Sequence, residues 1–471
     1  MPPTATDPGR PADARLSAAV VAGRLTAALS RRLGRGGGTT LPGRVTSLLD
    51  PTSSAKLARQ LRHGSIVVTG TNGKTTTTRL IADLLRASGR CVVHNRSGAN
   101  LASGVASALV RATRPDGRVA GDTGLFEVDE ASVPAVVEAL RPRVLAVTNL
   151  FRDQLDRYGE VTFVANSWRR AIAHLPADAT LVLNADDPNV AALGDGWTGR
   201  SVYVGVDDLS QAGPELEHTA DARLCPRCGT PLAYAAVFYG HVGHYHCPSC
   251  GFARPKPQLS AATVDPRGVD GTIVRLGVGA GELHVPLPGL YNVYNALMAL
   301  GSADALDLPR DRVLAAIAQF SAAFGRIERV PIDGRELYLA LVKNPVGFNQ
   351  VLRSVVAPQR EADVLIAIND NLADGTDVSW LWDVDVDPLI PAARRIWVTG
   401  TRCGDMVLRL KYGGVDEARV ERKPDGVAAL DRALACVLPG GTLFALPTYT
   451  AMLELRGELA RRGLVPPFWE D

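Results

Sequence analysis

The sequence predicts an α/β protein with a doubly wound, mostly parallel sheet, followed by a smaller α/β block at the carboxy-terminal end. Three observations predict it. From about residue 46 to 215, short apolar runs rich in β-branched residues alternate with helical periodicity. A loop bracketed by glycines, "GTNGKTT" (70–76), joins the first of these runs to a helix. After a break at about 218–258, the alternation resumes near 290, and a second block begins near 326.

The elements follow in chain order. Residues 1–15 are rich in Pro, Asp, Ala and Thr, a composition that predicts disorder. "LSAAVVAGRLTAALS" (16–30) is interrupted by Arg24, and no clear small-residue cleavage site follows, so it reads as an amphipathic helix rather than a signal peptide. "RRLGRGGGTTLPGR" (31–44) is a glycine-rich basic connector. "SIVVTG", "CVVHN", "GLFEVDE", "RVLAVTNL", "TLVLNADD" and "SVYVGV" read as buried strands; "KTTTTRLIADLLRASG" and "SVPAVVEALRP" are the helices between them. "NVYNALMALGSADAL" (292–306) resumes the pattern, and "DVLIAIND", "RRIWVTG" and "GTLFALPTY" are strands of the second block.

Composition narrows the function classes. A chain of 471 residues predicts two or three domains. A net charge of +2 argues against a nucleic-acid binder. No apolar run approaches the roughly 18–20 residues of a membrane span, so the expected location is the cytoplasm. Of the seven cysteines, four form two C-x-x-C pairs, while Cys91, Cys403 and Cys436 stand alone; this is not a secreted disulfide framework.

The loop carries the chemistry. Gly70 and Gly73 permit a tight turn whose N–H groups point inward at phosphate oxygens, and the helix that follows adds positive potential. Lys74 would reach the terminal phosphates and Thr75 would offer a hydroxyl to Mg²⁺. The usual pattern G-x-x-x-x-G-K-[ST] would need glycine at 68, where Val68 stands. "FEVDE" (126–130) places acids at a strand's carboxyl end, where ligands gather in open sheets, and Glu127 is the expected Mg²⁺ ligand. "TNLFRDQLDRYG" (148–159) and "LNADDP" (183–188) follow two further strands.

These motifs, in this order, resemble the Mur ligases and folylpolyglutamate synthetases. "GTNGKTT" is similar to that family's shortened phosphate loop, "TNLFRDQLD" to its T-N-x-x-x-D-H-L-D segment, and "LNADDP" to N-x-D-D-P. "PGLYNVYNALMA" (288–299) resembles G-x-x-N-x-x-N-x-x-A, and "FGRIERV" (324–330) resembles G-R-x-E. The resemblance implies an ATP-dependent ligase that activates a carboxylate as an acyl phosphate. It implies nucleotide contacts by Gly70, Thr71, Asn72, Gly73, Lys74, Thr75 and Thr76, with Asn292 and Asn295 on the nucleotide and Arg326 on its γ-phosphate. It also implies a Mur-ligase-like domain over 46–324, after an approach segment over 1–45 and before a C-terminal domain over 325–471.

Three departures stand out. Gln154 replaces the family's usual histidine, no lysine lies between Gly159 and Thr180, and "LVKNP" (341–345) replaces D-Y-A-H-N-P. They put a second Mg²⁺ site and amino-acid acceptor handling in doubt, and fit an acceptor simpler than an amino acid.

"CPRCGTPL" and "HCPSCGF" give C-x₂-C-x₁₈-C-x₂-C, the spacing of a closed, structural zinc site on Cys225, Cys228, Cys247 and Cys250. With that set complete, His241, His244 and His246 are expected on the surface of the ribbon. An insertion of this kind in a Mur-like ATPase resembles the MurT family, the ligase subunits of lipid II isoglutaminyl synthase. "NDNLADGTDVSWLWDVD" (369–385), "LPTYTAMLELR" (446–456) and "GRGGGTTLPGRVTSLLDP" (34–51) extend the resemblance over roughly 30–471. The resemblance implies amidation of the α-carboxyl of D-isoglutamate in the lipid II stem peptide, with nitrogen from glutamine hydrolysed by a GatD partner. The lone cysteines agree: none has the context of an activated nucleophile. A carboxylate of the C-terminal domain, Asp377 first and Asp383 second, would complete the partner's Cys-His pair. Arg24, Arg31, Arg32, Arg35 and Arg44 would either face anionic headgroups or the pyrophosphate of lipid II at the inner membrane face, or form no more than a solvated basic helix and linker. A stand-alone Mur or folylpolyglutamate-type ligase would share the ATP motifs but not the cysteine insertion, and a zinc-ribbon scaffold with a dead ATPase would not need Lys74, Thr75 and Glu127 intact.

Overall fold

The computed structural model of the protein describes residues 13–32, 40–95, 98–114, 116–152, 161–213, 216, 220–277, 281–320 and 327–466. Strands β1 (Ser65–Thr69), β2 (Val92–His94), β3 (Thr123–Glu127), β4 (Val144–Val147), β5 (Thr180–Asn184) and β6 (Arg200–Val206) alternate with helices, as the sequence predicts. The chain then makes a separate hairpin, β7 (Ala233–Tyr239) and β8 (Val242–His246). It returns as β9 (Leu259–Pro266), β10 (Thr272–Leu276) and β11 (Glu282–Val285). The large sheet has the order β11-β10-β9-β6-β5-β4-β1-β3-β2. Strands β1 to β6 and β9 run parallel, while β10 and β11 close the edge antiparallel.

The central strands are apolar along their length because they are covered on both faces: β1, β3, β4 and β5 are buried throughout. The helix Lys74–Ala87 and the almost wholly buried helix Leu290–Ala305 pack against each other, and the second also covers β5 and β6. One apolar cluster lies on that side of the sheet, and another on the opposite side, around Leu109, Val137 and Trp168.

Strand order places the working edge. Strand β1 lies between β3 and β4, and after β3 the chain crosses from one side of β1 to the other, so the carboxyl end of β1 is a topological switch point, where loops diverge and leave a crevice. The register sets Val68 beside Glu127 and Thr69 beside Val147, which brings three strand ends to that crevice.

The second sheet contains β12 (Ile327–Ile332), β13 (Arg335–Ala340), β14 (Ala362–Ala367), β15 (Ala393–Thr399), β16 (Val420–Arg422) and β17 (Thr442–Pro447). Its order is β12-β13-β17-β14-β15-β16. Its own switch point lies between β14 and β17, and the segment "NDNLADGTDVSWLWD" leaves β14 there.

The helix Ala14–Arg32 buries Leu16, Ala19, Val20 and Ala27 and leaves Val21, Leu25 and Leu29 exposed. It packs on the helices Leu41–Leu49 and Ala102–Ala112. Arg24 donates from its guanidinium to the Thr113 carbonyl, so this member of the basic segment is engaged within the fold, whereas Arg44 is exposed. Arg35 and the side chains of Arg31 and Arg32 lie outside the described residues. Among the described residues no helix is long and apolar enough to cross a membrane.

Candidate active site

The loop after β1 is held by the loop after β4. The Asn72 amide donates to Asn149 Oδ1 at 2.8 Å, and Asn149 Nδ2 donates to the Asn72 carbonyl at 3.0 Å, a reciprocal pair between two strand ends. Thr148 Oγ1 donates to the same carbonyl at 2.7 Å. Beside it, Thr71 Oγ1 donates to the Phe151 carbonyl at 3.0 Å and accepts the Phe151 amide at 2.9 Å. Asn149 therefore clamps the loop. Gly73 adopts φ +82°, and a Cβ there would lie 2.0 Å from Asn295 Oδ1, so the turn and the helix behind it both demand glycine.

Lys74 begins the helix and is buried. Its Nζ lies 3.0 and 3.1 Å from the two Glu130 carboxylate oxygens and donates to the Thr71 carbonyl at 3.2 Å. Of the acids in "FEVDE", Glu130 is thus the lysine's partner, a role that the sequence did not signal. Glu127 is only 5% exposed, and among the described residues its carboxylate has no hydrogen-bond or ion-pair partner. A buried, unpaired carboxylate is costly unless a cation meets it, so Glu127 suits a Mg²⁺ ion, with Thr75 buried at the first turn of the adjacent helix.

An open cleft lies over the loop, lined in part by Asn72, Gly73, Thr75 and Thr76. Asn292 and Asn295 line it from the helix Leu290–Ala305, Asn295 Nδ2 donating to Asn292 Oδ1 at 3.0 Å. Within the cleft wall, Asn72 Nδ2 is buried without a hydrogen-bond partner, an orphaned donor that suits a phosphate oxygen. The second block closes the other side. Lys343 Nζ donates to the Thr71 carbonyl at 3.2 Å and Asn344 Nδ2 to Asn72 Oδ1 at 2.9 Å. The departing "LVKNP" segment thus sits on the phosphate loop itself, a contact with no local sequence signal. Arg326 and Gln154 lie outside the described residues.

The "LNADDP" motif brackets neighbouring segments together. Asp187 accepts the amides of Leu150, Asn189 and Val190. Tyr294 donates to Asp186 Oδ2, while Arg254 pairs with Asp186 from the far side of the insertion. Burial raises the Asp186 pKa above the usual carboxylate value, against the lowering effect of Arg254.

The four cysteine sulfurs lie within 4.8 Å of one another, with Cys225–Cys250 at 3.6 Å and Cys228–Cys247 at 3.5 Å. A tetrahedron of sulfurs at about 2.3 Å from a metal has edges of about 3.8 Å, so this set could hold one ion with little adjustment. The Thr230 hydroxyl lies 3.4 Å from the Cys228 sulfur. The structure corrects the sequence reading at His241. His246 is exposed and His244 half-buried, its Nε2 2.8 Å from the Val206 carbonyl. His241 is wholly buried, its ring 4.4 Å from that of Phe151 and its Nε2 3.3 Å from Asp187 Oδ2. It occupies the hairpin's two-residue turn, which points into the domain rather than out to water.

On the second sheet, Asp374 is buried and accepts the Thr450 amide at 2.8 Å, pinning the loop after β14 to the helix Tyr449–Arg461. Beyond that anchor Asp377 and Asp383 are both exposed. Asp377 Oδ1 accepts the Ser379 amide at 2.8 Å; that bond lowers its pKa below the usual carboxylate value and keeps it ionised at neutral pH. Among the described residues none of Cys91, Cys403 and Cys436 has a histidine as a hydrogen-bond partner.

Comparison with known proteins gives these features a context. The Mur ligase middle domain model matches residues 68–222 and the MurT ligase C-terminal model residues 341–452. The chain is 33% identical over 444 residues to the MurT subunit of lipid II isoglutaminyl synthase (glutamine-hydrolyzing) from Staphylococcus aureus. The match covers 93% of this chain and 96% of that protein. It is 33% identical over 453 residues to the protein of the same name from Streptococcus pneumoniae, covering 95% and 97%. Among solved structures, a pseudomurein peptide ligase type C from Methanothermus fervidus matches with a TM-score of 0.67 at 22% identity, over 86% of this chain and 80% of that one. A Mycobacterium tuberculosis folylpolyglutamate synthase complexed with ADP matches with a TM-score of 0.61 at 16% identity, over 89% and 94%. These two likenesses show the fold.

The loop clamp makes a prediction of its own. Asn149→Ala removes both bonds to Asn72 and leaves their backbone partners without that side chain, at a cost of about 1–3 kcal/mol. The melting temperature should fall by roughly 2–8 °C in a scanning fluorimetry comparison. An unchanged melting temperature would show that the loop holds its shape without this pair.

Proposed function

The chain belongs to the MurT family of lipid II isoglutaminyl synthase subunits, and on that premise we propose that it is the ATP-dependent ligase that amidates the α-carboxyl of D-isoglutamate in the lipid II stem peptide. The observation that carries the reading is a cleft lined by Thr75, Asn292, Asn295 and Lys343, with Lys74 buried at the start of the helix after the loop, Glu127 at the end of β3 and Asn344 bonded to Asn72 of the loop. ATP supplies the phosphoryl group that makes the carboxylate an acyl phosphate, and ammonia displaces phosphate from it, so carboxylate, ATP and ammonia become amide, ADP and phosphate.

The chain's own residues hold and orient. The amides of residues 73–76 and the Lys74 ammonium receive phosphate oxygens, while the Thr71 and Asn72 amides stay engaged with Asn149, and Thr75 with Glu127 receives Mg²⁺. Arg326 is assigned to the γ-phosphate by its place in "FGRIERV". Lys343 contributes a positive charge at the cleft in place of the family's more elaborate acceptor segment, which suits ammonia, an acceptor with no carboxylate to bind. Cys225, Cys228, Cys247 and Cys250 hold structural zinc. The domain boundaries that support this reading are about 46–324 and 325–471, after an approach segment over 1–45.

The ammonia comes from a GatD-like glutaminase subunit, because none of the three lone thiols is paired with a base in the described structure. Asp377, ionised and exposed beyond the Asp374 anchor, orients the partner's histidine; Asp383 is the second choice. The complex works in the cytoplasm at the inner membrane face, where the substrate is anchored.

Three outcomes test these assignments. Lys74→Ala removes a charge-assisted phosphate contact worth about 1.5–3 kcal/mol, so amidation by the reconstituted pair should fall at least about 10–100-fold with folding preserved; wild-type turnover would contradict the role. Metal analysis should find one zinc per chain, and Cys228→Ala should lose it and lower the melting temperature; a wild-type protein free of zinc would contradict the site. Asp377→Asn should slow glutamine hydrolysis by about 10²–10⁴-fold while amidation from added ammonia persists. If hydrolysis is untouched in both Asp377→Asn and Asp383→Asn, the partner's site is complete without this chain.

A further inference from the structure

The cysteine insertion and the nucleotide cleft are usually separate subjects: one is a structural staple, the other the catalytic machinery. In this fold one hairpin joins them. The cysteines gather at the base of β7 and β8, and the two-residue turn Gly240–His241 lies at the other end, about 20 Å away at roughly 3.3 Å per residue. Between the ends the hairpin is bonded to the main domain. The Gly243 amide donates to the Asp186 carbonyl at 2.8 Å, and the Tyr245 hydroxyl to the Ala185 carbonyl at 3.0 Å.

Three consecutive residues at this tip reach the cleft or the residue that holds its loop. Tyr239 is buried, yet it lines the cleft and packs edge-on against Tyr294, at 5.7 Å between ring centroids, on the helix that presents Asn292 and Asn295. Gly240, at φ +55°, lies against Phe151, where a Cβ would come within 2.7 Å of the ring. His241 packs on the same ring, tilted by 43°, from beside Asp187. Phe151 is the residue whose backbone exchanges two hydrogen bonds with Thr71 of the phosphate loop.

We propose that the hairpin tip is part of the nucleotide site: Tyr239 forms a wall against the bound nucleotide, and Gly240 and His241 position the phosphate loop through Phe151. Metal binding at the cysteines and nucleotide binding in the cleft are then coupled through β7 and β8. This rests on the assignment of the cleft to ATP. Tyr239 is a binding residue, and Gly240 and His241 are positioning residues. The coupling is reciprocal: what the metal gives to nucleotide affinity, the nucleotide gives to metal retention.

The experiment uses full-length wild type, Tyr239→Leu and Gly240→Ala, with metal content and the ATP dissociation constant measured on the same preparations. Both variants should keep the wild-type metal content and bind ATP about tenfold more weakly. Saturating ATP should slow loss of metal to a chelator severalfold in the wild type, and not in Tyr239→Leu. Wild-type ATP affinity in both variants overturns the inference and leaves the ligase assignment standing; a wild type that binds no ATP overturns both. Should the substitutions unfold the hairpin, the wild type alone still decides: equal rates of metal loss with and without ATP overturn the coupling.

Discussion

The pairing of Asn72 with Asn149 is the constraint on which the site depends. A loop that offers its amides to phosphate cannot satisfy them internally, so its shape must be imposed from outside. Here it is imposed at a switch point, where β1, β3 and β4 end side by side. The β4 loop fixes one edge through Thr148, Asn149 and Phe151, and Glu130, beyond β3, takes the lysine. The helix Leu290–Ala305 meets Gly73 through Asn295, and the second block reaches in through Lys343 and Asn344. Parallel strand order creates the crevice, and these contacts from four parts of the chain give the loop within it a single form.

Much of this was legible in the sequence for a physical reason. Central parallel strands are covered on both faces and read as unbroken apolar runs, so β1, β3, β4 and β5 stood out. The antiparallel edge of β10 and β11 did not, because half-covered strands such as "ELHV" alternate and carry no comparable signal. The cysteine cluster was legible because tetrahedral coordination restricts the spacing of its ligands. Contacts such as Lys343 to Thr71 join residues 272 apart, and nothing local announces them.

His241 shows where local reasoning fails. A histidine in a hairpin turn beside a complete cysteine set is expected at the surface, since turns are normally solvated. The clue lay in its neighbours: "AVFYGHV" sets the turn between apolar residues, whereas a turn in water is usually flanked by polar ones. Burial of Phe238, Tyr239 and Val242 carries the turn inward with them. The bracket at Asp186 and Asp187 has the same character, since its partners come from the hairpin, the β4 loop and the helix Leu290–Ala305.

The chemical claim beneath the account is that this site activates a carboxylate by phosphorylation before nitrogen arrives. Oxygen transfer tests it most directly. Substrate carrying ¹⁸O in both oxygens of the D-isoglutamate α-carboxyl would be turned over with ATP and ammonia, and the released phosphate analysed by mass. The account predicts one ¹⁸O in inorganic phosphate for each amide formed. Unlabelled phosphate, or label appearing in AMP, would contradict it.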